Sequence, residues 1–345
     1  MKRIILIIAS LALLVTACHE KEPEGNSADV LNADTSSCTI EQVAFPFGEW
    51  EYGAGDSYMW DCFQDEQYYI FEGNKKDENE VYQYKVYSYD PIDEKWEQSD
   101  FQWNALLKQN HVDLQGNYQI DKAGNIYFLG CEIAHGEKKR SDNRIYCIDT
   151  NGTLTQMDPE KKLLEEEKNV QSFRLLEDGN FLVAAESREE CQIYYIDFLN
   201  GEVSQTSLPV GPDSMIALNV LCIADDQIVY PSRQSEKECA VQFRKYKEKV
   251  PEKIVVFDYD FSEQESIYLW NIGKSVKGEA YVLASKGIYE ISGDTARPIL
   301  GKNELAPMFD KYSDVIYTIQ TDEKEYLCAV QNEEKIALFK IKVAK

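Results

Sequence analysis

Arg144-Ile145-Tyr146-Cys147-Ile148-Asp149 decides the fold, because versions of it return along the whole chain. Gln192-Ile193-Tyr194-Tyr195-Ile196-Asp197 repeats it closely, and Lys85-Val86-Tyr87-Ser88-Tyr89-Asp90 and Gly287-Ile288-Tyr289-Glu290-Ile291-Ser292 keep its outline. Cys239-Ala240-Val241-Gln242-Phe243-Arg244 and Lys335-Ile336-Ala337-Leu338-Phe339-Lys340 are looser copies. Aligned on Tyr146, the copies fall at 87, 146, 194, 242, 289 and 337, in steps of 59, 48, 48, 47 and 48. Such constancy points to stacked copies of one supersecondary unit.

Working outward from Tyr146 gives the unit. Val112-Asp113-Leu114 leads through a Gly116-Asn117 turn to Tyr118-Gln119-Ile120, and Asp121 to Asn125 turns the chain into a strand over Ile126 to Cys131. A polar hairpin loop from His135 to Asn143 returns it as Arg144 to Asp149, and Thr150-Asn151-Gly152 turns into an outer strand over Thr153 to Met157. The middle strands are apolar on successive residues, so both of their faces are covered. A four-stranded antiparallel unit buried on both middle faces and repeated every 48 residues or so is a β-propeller blade. A sandwich would alternate, with one face wet.

Six copies need 288 residues, and Thr39 to Lys345 holds 307. Of the 19 surplus residues, 11 belong to the long first step, an insertion placed in Phe101 to Asn110. The last copy stops after its third strand, Ile336 to Lys342, and Glu41 to Phe45 is the spare segment that can supply a fourth. The fold class expected is all-β, a six-bladed propeller closed by the N-terminal strand pairing with the C-terminal blade, which removes an open sheet edge. In the fourth copy, equal spacing assigns Cys239 to Arg244 to the third strand and Ile254 to Phe257 to the outer one.

The start of the chain reads differently. Lys2-Arg3 precede an apolar run from Ile4 to Val15, too short to span a bilayer. Val15-Thr16-Ala17-Cys18 follows and looks like a bacterial lipobox, which implies cleavage after residue 17 and a diacylglyceryl thioether on Cys18. The expected organisation is a signal peptide over 1–17, a flexible polar tether over 18–38 and the propeller over 39–345. Without Lys2 and Arg3 the chain carries 34 basic and 61 acidic residues, a net charge of −27. That charge repels phosphates, so nucleic acid is excluded as a partner class. The eight cysteines other than Cys18 form no Cys-x-x-Cys pair. Most read as small buried hydrophobes. Cys131 and Cys147, symmetric about position 139, are the pair expected to meet across a hairpin as a disulfide.

The lipobox, the Asp-x-x-Gly-Asn-hydrophobic turns and the Ile-Tyr-x-Ile-Asp strands together resemble bacterial surface lipoproteins carrying a six-bladed propeller of the TolB or NHL kind. The Gly-His dipeptide of WD-repeat propellers is not present, and Trp-Asp, found at Trp60-Asp61, does not recur from copy to copy. The resemblance implies a cell-envelope protein, lipid-anchored on the extracytoplasmic side of a membrane. It leaves function coarse, since such propellers include binding modules, scaffolds and hydrolases.

Propellers take ligands at the mouth of a channel lined by their innermost strands. Trp60, Asp61, Arg174, Asn219, Trp270 and Asn271 interrupt those strands and are the candidate ligand-binding residues. Trp60 and Trp270, with Trp50 and Trp103, either stack on a sugar ring or side chain or pack between blades. Asp61, Asn219 and Asn271 are residue types that hold a divalent cation in propeller lactonases, although no spacing supports the set. There is no Gly-x-Ser-x-Gly elbow and no phosphate-binding glycine loop. Three histidines, one of them in the tether, give little material for acid–base catalysis. No cofactor motif is present. The expectation is a non-enzymatic module that binds an envelope or extracellular protein, peptide or glycan, with a metal-dependent hydrolase or lactonase as the alternative.

Overall fold

The structure, a computed structural model, describes residues 32–34, 37–47, 58–64, 67–74, 82–99, 103–133, 141–158, 169–176, 178–186, 191–205, 221–224, 227–233, 238–245, 248, 252–258, 271–284, 286–312, 314–332 and 335–344. Cys18, residues 1–17 expected as a signal peptide, and Trp50 lie outside them.

The chain opens with β1 (Asn32–Asp34) and β2 (Cys38–Val43). Blade one is β3 (Tyr58–Gln64), β4 (Gln67–Asn74), β5 (Gln83–Asp90) and β6 (Lys95–Ser99). A short helix, α1 (Asn104–Gln109), leads to blade two: β7 (Val112–Ile120), β8 (Ile126–Glu132), β9 (Arg144–Ile148) and β10 (Leu154–Gln156). Blade three is β11 (Asn169–Leu175), β12 (Phe181–Glu186), β13 (Cys191–Asp197) and β14 (Glu202–Gln205). Blade four is β15 (Leu221–Ala224), β16 (Gln227–Arg233), β17 (Glu238–Lys245) and β18 (Lys253–Asp258). Blade five is β19 (Asn271–Lys274), β20 (Ala280–Ala284), β21 (Gly287–Ser292) and β22 (Thr295–Gly301). After α2 (Lys302–Phe309), blade six is β23 (Asp314–Asp322), β24 (Glu325–Gln331) and β25 (Ile336–Val343). Every sheet is antiparallel, and the protein is a six-bladed β-propeller.

The signature copies all fall on third strands, and blade four divides as its spacing requires. Burial on both faces follows from the apolar runs: all of β20 and the middle of β24 are shut off from solvent. Among the described residues the buried apolar side chains form six clusters, one for each seam between neighbouring blades. Closure occurs where expected. β2 pairs with β25 from Cys38↔Val343 to Val43↔Leu338, and Ala344 N–H donates to the Ser37 carbonyl at 2.7 Å. Lys340 of β25, whose side chain is 7% exposed, pairs with Glu94 of blade one and with Glu325 at 3.3 Å.

Three expectations need correction, and the insertion, found where expected, gains a secondary structure. The tether does not run to residue 38, because Asn32–Asp34 add a fifth strand outside β2 and Cys38 itself belongs to β2. The Gly116-Asn117 turn is a bulge within a continuous β7, with φ of 121° and 55° at the two residues. Bulges use the same left-handed backbone that turns do, so the dipeptide does not separate them. The insertion is helical, with Leu107 fully buried and the Asn104 amide bonded to both the N–H and the carbonyl of Tyr84. Finally, Cys131 and Cys147 do not form a disulfide: the β8–β9 ladder runs Ile126↔Ile148 to Gly130↔Arg144 and sets Cys147 opposite Tyr127. Symmetry about position 139 placed that hairpin four residues out of register, since the ladder centres on position 137.

Candidate active site at the propeller axis

The two ends of the propeller are built differently. One carries the turns after each inner strand and after each third strand, several held by an aspartate at the turn's start. Asp121 Oδ1 accepts from the Ala123 and Asn125 N–H groups at 2.8 and 2.9 Å, and its Oδ2 from Asn125 Nδ2 and the Tyr127 hydroxyl at 2.9 and 3.1 Å. Burial alone would raise that carboxyl's pKa, but these four donors together hold it below the ordinary value. Asp149 and Asp197 are lowered in the same way, chiefly by the backbone N–H groups of Thr153 and Asn200. The other end receives the connections into each inner strand, α1 and α2 among them.

Inner strands expose a backbone edge towards the axis, and side chains from neighbouring blades satisfy it. Asn117 Oδ1 accepts the Phe173 N–H at 3.2 Å, while the Gln119 amide donates to the Phe173 carbonyl at 3.0 Å and accepts the Leu175 N–H at 2.7 Å. The β7 bulge aims these amides at blade three. Gln320 Oε1 accepts the Val276 N–H at 2.9 Å between blades six and five, and the Thr318 hydroxyl meets that of buried Tyr281 at 3.2 Å. These bridges were not read from the sequence, since partners 37 to 56 residues apart leave no local spacing. The one signal that pointed to them is a Gly-Asn pair inside a strand pattern, which marks a bulge.

The ladders place the expected site residues. They carry Tyr87 inward through Ile70 to Asp61, Tyr194 through Val183 to Phe173, and Tyr289 through Val282 to Ile272. Because the three tyrosines are equivalent in the repeat, Asp61, Phe173 and Ile272 share one level along the axis. Trp60 and Asn271 stand one residue towards the connection end, and Arg174 stands one residue towards the turn end. Asn271 is 8% exposed and already has partners. Arg174 is partly exposed, and its Nε is buried with no hydrogen-bond partner. Asn219 and Trp270 lie outside the described residues, and so do the side chains of Trp60 and Asp61.

Trp103 packs rather than offering a free face: it stacks on Tyr118 and Phe128 at centroid distances of 5.9 and 6.4 Å. Of the donors expected for a cation, only Asn271 has a described side chain. No three His, Cys, Asp or Glu side chains converge among the described residues.

No protein-family model and no curated protein matches this chain. Solved structures do. It is similar to a putative gluconolactonase at 9% identity, covering 87% of this chain and 94% of that one, with a TM-score of 0.42. It is similar to the Penicillium chrysogenum α-L-arabinanase at 10% identity, covering 90% and 99%, with a TM-score of 0.45. It is also similar to the soluble aldose sugar dehydrogenase of Escherichia coli at 7% identity, covering 89% and 100%, with a TM-score of 0.46. The expectation of a non-enzymatic module is corrected and set aside, since the three propellers named here are enzymes by name. At these identities the likeness shows the propeller and no more.

Proposed function

We propose that this chain is a lipoprotein, held on the extracytoplasmic side of a bacterial membrane through acylated Cys18, whose propeller is a hydrolase acting at the axial channel. The leader supports the anchoring: a basic start, a short apolar run and Val15-Thr16-Ala17-Cys18. The TolB- or NHL-like grouping belongs to this reading and stands on the same lipobox and turn motifs. One observation carries the reaction site. Trp60, Asp61, Arg174 and Asn271 come from three inner strands and occupy three successive levels around one axis. In this reading Asp61 is the general base for water, Arg174 orients the substrate, and the envelope supplies a glycan- or peptide-derived molecule.

The test uses the full chain purified in detergent against panels of chromogenic esters, lactones and glycosides. Turnover in one class is expected, with Asp61→Asn lowering kcat about a hundredfold or more. The Cys18→Ser variant should leave the membrane fraction. A wild-type protein inert across all three panels, or an Asp61→Asn variant as active as wild type, contradicts the enzyme. A Cys18→Ser variant that stays with membranes contradicts the anchor.

A further inference from the structure

We infer that Arg174 anchors a carboxylate of the ligand taken in the axial channel, which names the substrate class for the hydrolase reading above and rests on it. Arg174 lies on β11, the innermost strand of blade three. Phe173 packs into the seam with blade two. Alternation along a strand turns Arg174 to the opposite face. Its ladder partner on that face, Leu182, belongs to the seam with blade four. The guanidinium thus stands at the axial end of the seam between blades three and four.

Its surroundings leave it available. The inner-strand amides Asn117, Gln119 and Gln320 are committed to neighbouring backbone. Arg174 has no such commitment, its Nε is cut off from solvent without a partner, and no described carboxylate pairs with it. In a chain of 61 acidic against 36 basic residues, partners for an arginine are plentiful, so an inner-strand arginine left without one stands out. A guanidinium cannot shed its charge, and a buried donor left unmade carries the full desolvation cost of that group. Because Nε itself is out of reach, a ligand from the channel can meet the charge only through the Nη groups of the partly exposed side chain.

The fork of parallel donors matches the two oxygens of a planar carboxylate. A single guanidinium balances one negative charge. A dianionic phosphate would meet net repulsion from a molecule of charge −25. The ligand class is accordingly a small monoanionic carboxylate, a sugar acid being one such molecule.

Calorimetric titration of the full chain in detergent with glucuronate, glucose and inorganic phosphate tests this. Wild type should bind glucuronate saturably and at least about tenfold more tightly than glucose or phosphate. Arg174→Met should weaken glucuronate about tenfold or more and leave glucose unchanged. Arg174→Lys keeps the charge but loses the fork, so it should fall between the two. It decides the matter if the methionine variant does not fold. The anchoring is overturned if either folded variant binds glucuronate as wild type does, if phosphate binds more tightly than glucuronate, or if wild type binds no anion. Turnover of an anionic substrate with unchanged KM in Arg174→Met overturns the anchoring and leaves the hydrolase standing. Glucuronate binding that depends on Arg174, without turnover of any panel substrate, does the reverse.

Discussion

At the scale of single residues, acidic side chains have two different employments. Among the described residues most are exposed or half-buried, and their excess over basic residues gives the chain its net charge of −25. Asp121, Asp149 and Asp197 are instead hydrogen-bond acceptors inside turns, and their lowered pKa values tie stability to pH. A carboxyl whose folded pKa is depressed contributes stability that is present above its unfolded value, about 3.9, and lost as pH falls through the folded value. The melting temperature should therefore hold steady from neutral pH down to about 4 and fall steeply below it. Asp121→Ala should cost about 1–2 kcal/mol at neutral pH and flatten that acid limb, read by thermal melts across a pH series. An acid limb unchanged in the variant would show that the four donors around Asp121 contribute nothing. The aspartate turns were legible in the sequence because every partner is within six residues. Arg174 was legible only as an interruption of an apolar strand, because its lack of a partner is a property of three dimensions.

At the scale of elements, β2 carries more than its place near the N-terminus suggests. Ile40 is 1% exposed and packs with Phe339 and Ile341 in the cluster between blades five and six. Ile40→Ala should cost about 2–4 kcal/mol in denaturant unfolding, as truncation of a core residue in mid-chain would. A cost under about 0.5 kcal/mol would mean that the strand is only loosely attached. The pairing was foreseeable because one blade lacked a strand and one spare segment existed. The Cys131–Cys147 pairing was misread for the complementary reason: symmetry fixes the middle of a hairpin only when the turn is tight and typed, and the segment between those strands is long and polar. β1 escaped notice because Asn32-Ala33-Asp34, one alanine between two polar residues, is too short to show a pattern.

At the scale of the whole molecule, six seams share the burial that a sandwich would concentrate in one layer, and each blade is held only by its neighbours. A ring of this kind gains cohesion when its last seam closes, and the ion pairs of Lys340 with Glu94 and Glu325 and the β2–β25 ladder lie beside that seam. The constant step of about 48 residues made the ring legible. The grouping at the axis was not, since the residues placed there come from inner strands of blades one, three and five that lie far apart in sequence. The ring depends first on closure by the N-terminal strand, and hydrogen exchange read by mass spectrometry tests that closure most directly. Amides of Cys38–Val43 should exchange as slowly as those of Ile336–Val343 and open together with them. Exchange of Cys38–Val43 at the rate of an unpaired tail, while Ile336–Val343 stay protected, would contradict the closed ring.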